Sequence, residues 1–199
     1  MPSLPNRPPV TGRCETPEQR LLERVRAGDQ EAFSAVFTAH YADLHRFTVY
    51  LVRATEVAEE LVQEVFLWVW QQRSTWRPEG GVRAYLFTAC RNRALDYLKH
   101  LRRADRIVGQ IKREGLAAGL GRMERTPDTA AEADELAAAM RQAVAELPER
   151  RRLVVVLRWQ HQMSHAEIGQ VMGISEKGVE TQFARAMIAL RHTLAKYRL

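Results

Sequence analysis

An apolar stripe with helical spacing runs through residues 56–72 and constrains the fold more than any other feature of the sequence. The segment reads EVAEELVQEVFLWVWQQ. Its stripe follows the spacing i, i+3, i+4, i+7, i+8, i+11, which is typical of the buried face of an α-helix. The stripe residues are Ala58, Leu61, Val62, Val65, Phe66 and Val69. Residues 18–77 contain no proline and no sustained two-residue alternation, so we predict helices and no strands there.

Four helices are predicted in this half of the chain, over about 18–27, 29–52, 56–72 and 81–103. Asp29 and Thr55 precede the second and third of them, and residues of these types commonly cap helix N-termini. Further helices are expected from about residue 132. The predicted fold class is therefore all-α, with two small helical domains joined by a flexible linker.

Composition divides the 199 residues into four segments. Residues 1–17 hold five of the eight prolines and are expected to form a disordered leader. Residues 18–106 form the first predicted domain. Residues 107–131 are rich in glycine and are expected to be the linker. Residues 132–199 form the second predicted domain.

Several classes of protein do not fit the composition. No apolar run is long enough for a secretory signal or a membrane span. Two cysteines, Cys14 and Cys90, cannot build a disulfide scaffold and suit a reducing cytoplasm, with Cys90 expected as a small core residue. We find no phosphate-binding loop and no clustered metal ligands, so neither an enzyme nor a metal or cofactor site is expected. His161 and His165 are separated by a helix break, so we expect them to be solvated or to cap a helix end.

Charge is distributed unevenly, although the net value is only +6. Residues 73–106 hold nine basic and three acidic side chains, interleaved with aromatic residues. Cations follow a phosphate backbone and exposed rings stack on unpaired bases, so this segment predicts binding to single-stranded nucleic acid. The alternative is that Tyr85, Leu86 and Phe87 belong to the core. At least some of them must be core residues, because a helix needs a buried face.

The third predicted helix has an acidic face that carries no compensating lysine or arginine. Like charges four residues apart destabilise an isolated helix, so such a face with an apolar residue on it predicts a basic protein partner. The alternative is a plain solvated face. The face is formed by Glu56, Glu60, Gln63, Glu64 and Leu67.

A helix-turn-helix is predicted over residues 163–194. Ser164 and Glu167 fit a capping box, Gly173 suits a left-handed turn residue, and Ser175 can cap the second helix. The start of a second helix presented in this way is the part that enters a DNA major groove. The alternative is a helical hairpin used only for packing. The exposed side chains expected there are Glu176, Lys177, Glu180, Thr181, Ala184 and Arg185.

These segments together resemble a group IV, extracytoplasmic-function (ECF) sigma factor of the sigma-70 family. The resemblance is carried by LVQEVFLWVW, AYLFTACRNRALDYLKHLRR, LPERRRLVVVLRW and the helix-turn-helix, in that order. It covers residues 18–106 and 132–197. It implies three kinds of partner: the RNA polymerase core, through its β′ clamp helices and β flap; promoter DNA; and an anti-sigma factor.

The resemblance also implies residue roles. Region 2 would use the acidic face of Glu56, Glu60, Gln63, Glu64 and Leu67 to bind the β′ clamp helices. A pocket for a flipped base of the −10 element would draw on Trp76, Phe87 and Asn92. Phosphates near it would be held by Arg77, Arg91, Arg93, Lys99, Arg102 and Arg103. Region 4 would read the −35 element with Ser175, Glu176, Lys177, Glu180, Thr181 and Arg185.

The helix that would read the −35 element departs from the family pattern. Gly178 stands where the family often has threonine, and Glu180 and Gln182 stand where it often has basic residues. The promoter sequence therefore cannot be deduced from this helix. A second interpretation of the chain is a LuxR-like regulator that binds duplex operator DNA alone. The basic, aromatic segment 76–103 argues against it, because a sensing domain needs an apolar pocket.

Overall fold

The computed structural model describes the backbone of residues 16–108 and 131–195, with side chains for 16–103 and 137–195. Within these ranges the chain forms eight α-helices and no strand, which confirms the all-α prediction. The helices are α1 (Pro17–Arg26), α2 (Gln30–Val52), α3 (Thr55–Gln71), α4 (Val82–Val108), α5 (Ala131–Glu146), α6 (Glu149–Trp159), α7 (His165–Met172) and α8 (Glu176–Thr193). Among the described helices, none is long and apolar enough to cross a membrane.

The predicted leader and linker lie mostly outside the described residues. At the end of the leader, Thr16 caps α1 through a capping box with Gln19, and Pro17 is already helical. At the two ends of the linker, α4 continues to Val108 and α5 begins at Ala131. The described helices therefore extend slightly into both predicted segments.

Local capping determines where the helices of the N-terminal half begin. Asp29 caps α2 as predicted, because its carboxylate accepts hydrogen bonds from the amides of Glu31 and Ala32. The prediction for Thr55 is wrong. The chain leaves α2 through Arg53 in the left-handed region, so Ala54 occupies the N-cap position and Thr55 is the first helical residue.

Helices α1 to α4 form the N-terminal lobe, in which α2 packs against both α3 and α4. All six residues of the predicted α3 stripe are buried. Four of them join a core that includes Leu44 and Phe47 of α2 and Leu86 and Phe87 of α4, whereas Ala58 and Leu61 pack in a second cluster with Val52 and Ala94. Cys90 is buried there, as predicted, and burial raises the pKa of its thiol to about 12.

Helices α5 to α8 form the C-terminal lobe. In its helix-turn-helix, Ser164 and Glu167 form the predicted capping box, Gly173 adopts φ +66°, and the Ser175 hydroxyl caps α8. Helix α6 buries five consecutive residues, Leu153–Leu157. A helix with a single buried face would bury only about every third or fourth residue. Helix α6 buries more because Val154 and Leu157 join the core shared with the N-terminal lobe, whereas Val155 packs into a separate cluster with α5 and α8.

The two lobes are packed directly against each other. Helix α7 lies against α4, and one continuous cluster of buried residues runs from the N-terminal core through α6 to α7 and the start of α8. His161, in the turn between α6 and α7, is only 3% exposed. The expectation that it is solvated or capping is therefore wrong, because the facing lobe covers it.

Candidate protein-docking and nucleic-acid surfaces

The acidic face of α3 is exposed along its whole length. Its five predicted residues, Glu56, Glu60, Gln63, Glu64 and Leu67, are all exposed. Leu67 is 57% exposed and the neighbouring Trp68 is 41% exposed. Because water is a poor solvent for such large apolar side chains, an acidic helix face with an apolar end suits a protein partner better than plain solvation.

Sequence reasoning missed Trp68, although it adjoins the predicted face. Its ring stacks on that of Tyr85 in α4, with centroids 6.4 Å apart and planes 23° apart. This contact ties the exposed end of the α3 face to α4. A second link is the approach of Arg93 to Glu64 at 3.7 Å, which is a weak pair because both side chains are about half exposed.

Trp76 is buried in the N-terminal lobe, and its ring is not accessible to a ligand. It is 2% exposed and packs edge-on against Tyr85, with centroids 5.9 Å apart. Arg26 of α1 donates a hydrogen bond of 2.9 Å to its carbonyl oxygen, whereas its indole Nε1 is buried without a partner. The expectation of an accessible Trp76 ring is wrong in this arrangement, because the loop after α3 folds back against α1.

Phe87 is also a core residue. It is fully buried between Phe47 and His161, with ring centroids at 5.0 Å from each. The expected exposure of Phe87 is therefore wrong, and the alternative of a core role holds for it and for Leu86. Asn92, five residues further along α4, is exposed. In this conformation, the three predicted pocket residues do not line one accessible cleft.

Most predicted phosphate-binding residues remain accessible. Arg91 is half-buried; the exposed ones are Arg77, Arg93, Lys99, Arg102 and Arg103. Three of these cations line a groove of about 400 Å³ between the C-terminal part of α4 and the start of α6. Its lining consists of Leu95, Leu98, Lys99, Arg102, Arg103 and Glu149. The groove is thus an apolar floor with a predominantly cationic rim.

The N-cap and first three turns of α8 present a mixed polar face. Every residue predicted for this face is exposed: Ser175, Glu176, Lys177, Glu180, Thr181 and Arg185. The Ser175 hydroxyl accepts a hydrogen bond from the Gly178 amide, so its primary role is capping. His165 Nδ1 lies 3.9 Å from a Glu180 carboxylate oxygen, which connects the start of α7 to this face.

Gly169 holds the two helices of the motif close together, and sequence reasoning missed it. A Cβ atom at this position would lie 2.8 Å from the Ile174 carbonyl oxygen, well inside van der Waals contact. The available signal was a glycine in the middle of an eight-residue helix, where alanine would otherwise be favoured. The close approach explains why a residue without a side chain stands there.

Comparison with known proteins identifies both lobes. The model of sigma-70 region 2 matches residues 36–106, and that of sigma-70 region 4 matches residues 137–190. The RNA polymerase sigma factor CarQ of Myxococcus xanthus is 32% identical over 181 residues, which cover 89% of this chain and 98% of CarQ. The ECF RNA polymerase sigma factor SigL of Mycobacterium tuberculosis is 32% identical over 173 residues, which cover 84% of this chain and 92% of SigL.

A third relative, the ECF RNA polymerase sigma factor BldN of Streptomyces coelicolor, is 29% identical over 176 residues. The chain spans 64% of BldN, just under two thirds of its length. Taken together, these matches show that the chain belongs to the ECF group of the sigma-70 family. The matches do not favour the alternative of a LuxR-like regulator. The relatives are sigma factors, a class of protein that is not enzymatic.

Two solved structures share the fold. CnrH, solved in complex with the cytosolic domain of CnrY, superposes with a TM-score of 0.61 over 90% of this chain and 97% of CnrH, at 23% identity. The sigma factor RpoE of Bartonella quintana was solved in complex with the anti-sigma factor NepR. It superposes with a TM-score of 0.59 over 87% of this chain and 99% of RpoE, at 19% identity. Because both identities are below 25%, this structural similarity supports the fold alone.

Proposed function

We propose that the chain binds the RNA polymerase core and directs it to promoters, with the N-terminal lobe acting on the −10 element and the C-terminal lobe on the −35 element. The observation that carries this proposal is the pairing of an exposed acidic face on α3 with a helix-turn-helix whose α8 start is free. A regulator that binds duplex DNA alone would need the second feature and not the first.

The acidic face of α3 would dock on the β′ clamp helices. Opposite charge steers the approach and limits wrong partners, whereas buried apolar anchors supply most of the binding energy. Leu67 and Trp68 would be that anchor, since they are the large exposed apolar side chains at the end of the face. The C-terminal lobe would contact the β flap, as family resemblance implies.

The α4 cations would hold the phosphates of the −10 strand. Exposed Arg93, Lys99, Arg102 and Arg103 lie along the helix, so they can follow a backbone without reading its sequence. Asn92 is the accessible amide nearest to them and would hydrogen-bond a base edge. This role for Asn92 does not require Trp76 or Phe87 to be exposed.

The start of α8 would enter the major groove at the −35 element. Lys177 and Arg185 can donate to guanine edges or phosphates, and Glu176 or Glu180 can accept from cytosine N4. An anti-sigma factor would cover these surfaces when the protein is inactive. Support for that partner comes from the solved relatives CnrH and RpoE, which were captured with CnrY and NepR. The protein would work in the cytoplasm, beside the polymerase.

The double variant Glu60→Lys, Glu64→Lys tests the docking face. Reversing two charges in the middle of the face should reduce co-purification with core polymerase at least tenfold, because like charges then oppose one another across the interface. The control is Glu23→Lys, Glu31→Lys, which makes the same charge change at exposed positions on α1 and α2 of the same lobe. Equal retention of both variants by core polymerase would reject the assigned face.

A further inference from the structure

Helix α1 reaches across the N-terminal lobe to residues 72–81, which connect α3 to α4 and which we call the α3–α4 loop. Arg26 Nε donates a hydrogen bond of 2.9 Å to the Trp76 carbonyl oxygen, across 50 positions of sequence. Glu18 Oε1 accepts one of 2.9 Å from the Val82 amide, across 64 positions. These two contacts therefore hold both the middle of the loop and its junction with α4.

Glu18 supplies a cap that the start of α4 otherwise lacks. Val82 is the first residue of α4, so its amide has no acceptor within the helix. Gly81, which precedes it at φ +99°, has no side chain that could accept a hydrogen bond. The carboxylate from α1 fills this place, and its charge is favourable at the positive end of the helix dipole. The start of α4 is thus held in place from α1.

The second half of the α3–α4 loop has few other hydrogen bonds among the described residues. Backbone hydrogen bonds inside the loop end at the Trp76 amide, and none of those described is donated by residues 77–81. A further contact comes from the C-terminal lobe, where the Gln170 carboxamide donates to the Glu79 carbonyl oxygen. Within the N-terminal lobe, the side chains that hold this part of the chain by hydrogen bonds are those of α1.

Helix α1 is itself anchored independently of the loop. Leu22 and Val25 are buried in the core of the N-terminal lobe. Thr16 caps the first turn of α1, and Arg24 forms an ion pair of 2.7 Å with Asp29, the residue that caps α2. The contacts of Glu18 and Arg26 therefore start from a fixed helix.

The residue that follows the Arg26 contact is Arg77, one of the exposed cations expected to hold phosphates. Arg26 is half-buried, and its pKa is lowered first by burial and then by the nearby Arg77 guanidinium. Repulsion between the two cations favours an Arg77 side chain that points away from α1. Because Arg26 also holds the Trp76 carbonyl oxygen, it favours one position of the Arg77 backbone and one direction of its side chain.

We propose that α1 braces the α3–α4 loop, so that Glu18 and Arg26 act as positioning residues for the contacts of Arg77 and α4 with the −10 strand. The match to sigma-70 region 2 begins at residue 36, so both residues lie outside it. This inference rests on the proposed function for its consequence at the promoter, whereas the brace is a property of the free chain. A loop that is already positioned loses less freedom when it binds DNA, so an opened strand is held at a lower entropic cost.

Hydrogen exchange in the free, full chain tests the brace itself. Glu18→Ala removes the acceptor, and Arg26→Ala removes the donor. Each should speed exchange of amides in residues 76–84 about tenfold, the effect expected for one lost hydrogen bond to a charged group. Glu18→Gln keeps an acceptor oxygen and should hold exchange within about threefold of the unmodified chain. The matched controls, Glu23→Ala and Arg20→Ala, truncate the same side-chain types at exposed positions of α1 and should leave exchange unchanged.

Promoter opening tests the consequence for function. The assay uses core polymerase and a promoter that carries 2-aminopurine in the −10 strand. At saturating polymerase, Glu18→Ala and Arg26→Ala should each slow opening about fivefold, while co-purification with core and binding of the −35 duplex stay unchanged. A merely structural role would weaken all three together. Val36→Ala, a core substitution in α2, controls for lowered stability and should open the promoter at the normal rate under conditions where it is folded.

A double-mutant cycle tests the link from Arg26 to Arg77. If Arg26 acts by positioning Arg77, Arg26→Ala should slow opening by less than about twofold in an Arg77→Ala background. Full additivity of the two substitutions would overturn this link.

The two assays separate this inference from the proposed function. Unchanged exchange in Glu18→Ala and Arg26→Ala would overturn the brace, and faster exchange with a normal opening rate would overturn the positioning role. If exchange responds as described but the unmodified chain opens no promoter, the brace stands and the assigned function fails.

Discussion

Trp76, Phe87 and Asn92 divide into two kinds of residue. The two rings are buried and hold the N-terminal lobe together, whereas the amide of Asn92 is free to meet a ligand. Their substitution should therefore have different consequences. Losing a buried ring costs stability first, and losing an exposed amide costs function alone.

We expect Phe87→Ala to lower the free energy of unfolding by about 3–5 kcal/mol, because it leaves a cavity between Phe47 and His161. Asn92→Ala should change it by less than about 0.5 kcal/mol, as is usual for exposed positions. Urea denaturation followed by circular dichroism measures both. Asn92→Ala should in addition reduce permanganate reactivity of the −10 strand while duplex binding persists. Normal melting in this variant would remove Asn92 from the −10 contact.

At the scale of whole helices, most local signals were sufficient, although Thr55 is not the N-cap of α3. The α3 stripe, the Asp29 cap, the Ser164 capping box and the Gly173 turn were all predicted, because each depends on residues within a few positions along the chain. Phe87 and His161 were misjudged for the opposite reason. They contact each other across 74 positions of sequence, and no local pattern encodes which side of α4 another lobe will cover.

Gly169→Ala tests the close approach of α7 to the turn before α8. Alanine is normally better than glycine inside a helix by up to about 1 kcal/mol. Here we expect a loss of about 1–3 kcal/mol in unfolding free energy, because the new methyl group would overlap the Ile174 carbonyl oxygen. Thermal or urea unfolding provides the measurement.

Gly178→Ala is the matched control for that substitution. Its added Cβ would lie 3.3 Å from the Ser175 hydroxyl, a side chain that can adjust, so its effect should be smaller. A gain in stability for Gly169→Ala would show that the backbone of this turn is not tightly held. Binding of the −35 duplex should weaken in proportion to the loss for Gly169→Ala, because α8 is oriented by the same turn.

At the scale of the whole molecule, the charge pattern supports a different proposed partner for each surface. The acidic α3 face suits a basic protein surface, and the cations of α4 suit the phosphates of a promoter. The packing of the lobes was not encoded in any segment alone, since it depends on how α7 fits α4.

Run-off transcription tests the central claim most directly. Core polymerase, a genomic promoter library and the unmodified chain should together give transcripts with defined start sites. The same core polymerase should give none with Glu60→Lys, Glu64→Lys, and normal amounts with Glu23→Lys, Glu31→Lys. Absence of any promoter-dependent transcript with the unmodified chain, under conditions where a known sigma factor works with that core, would contradict the account.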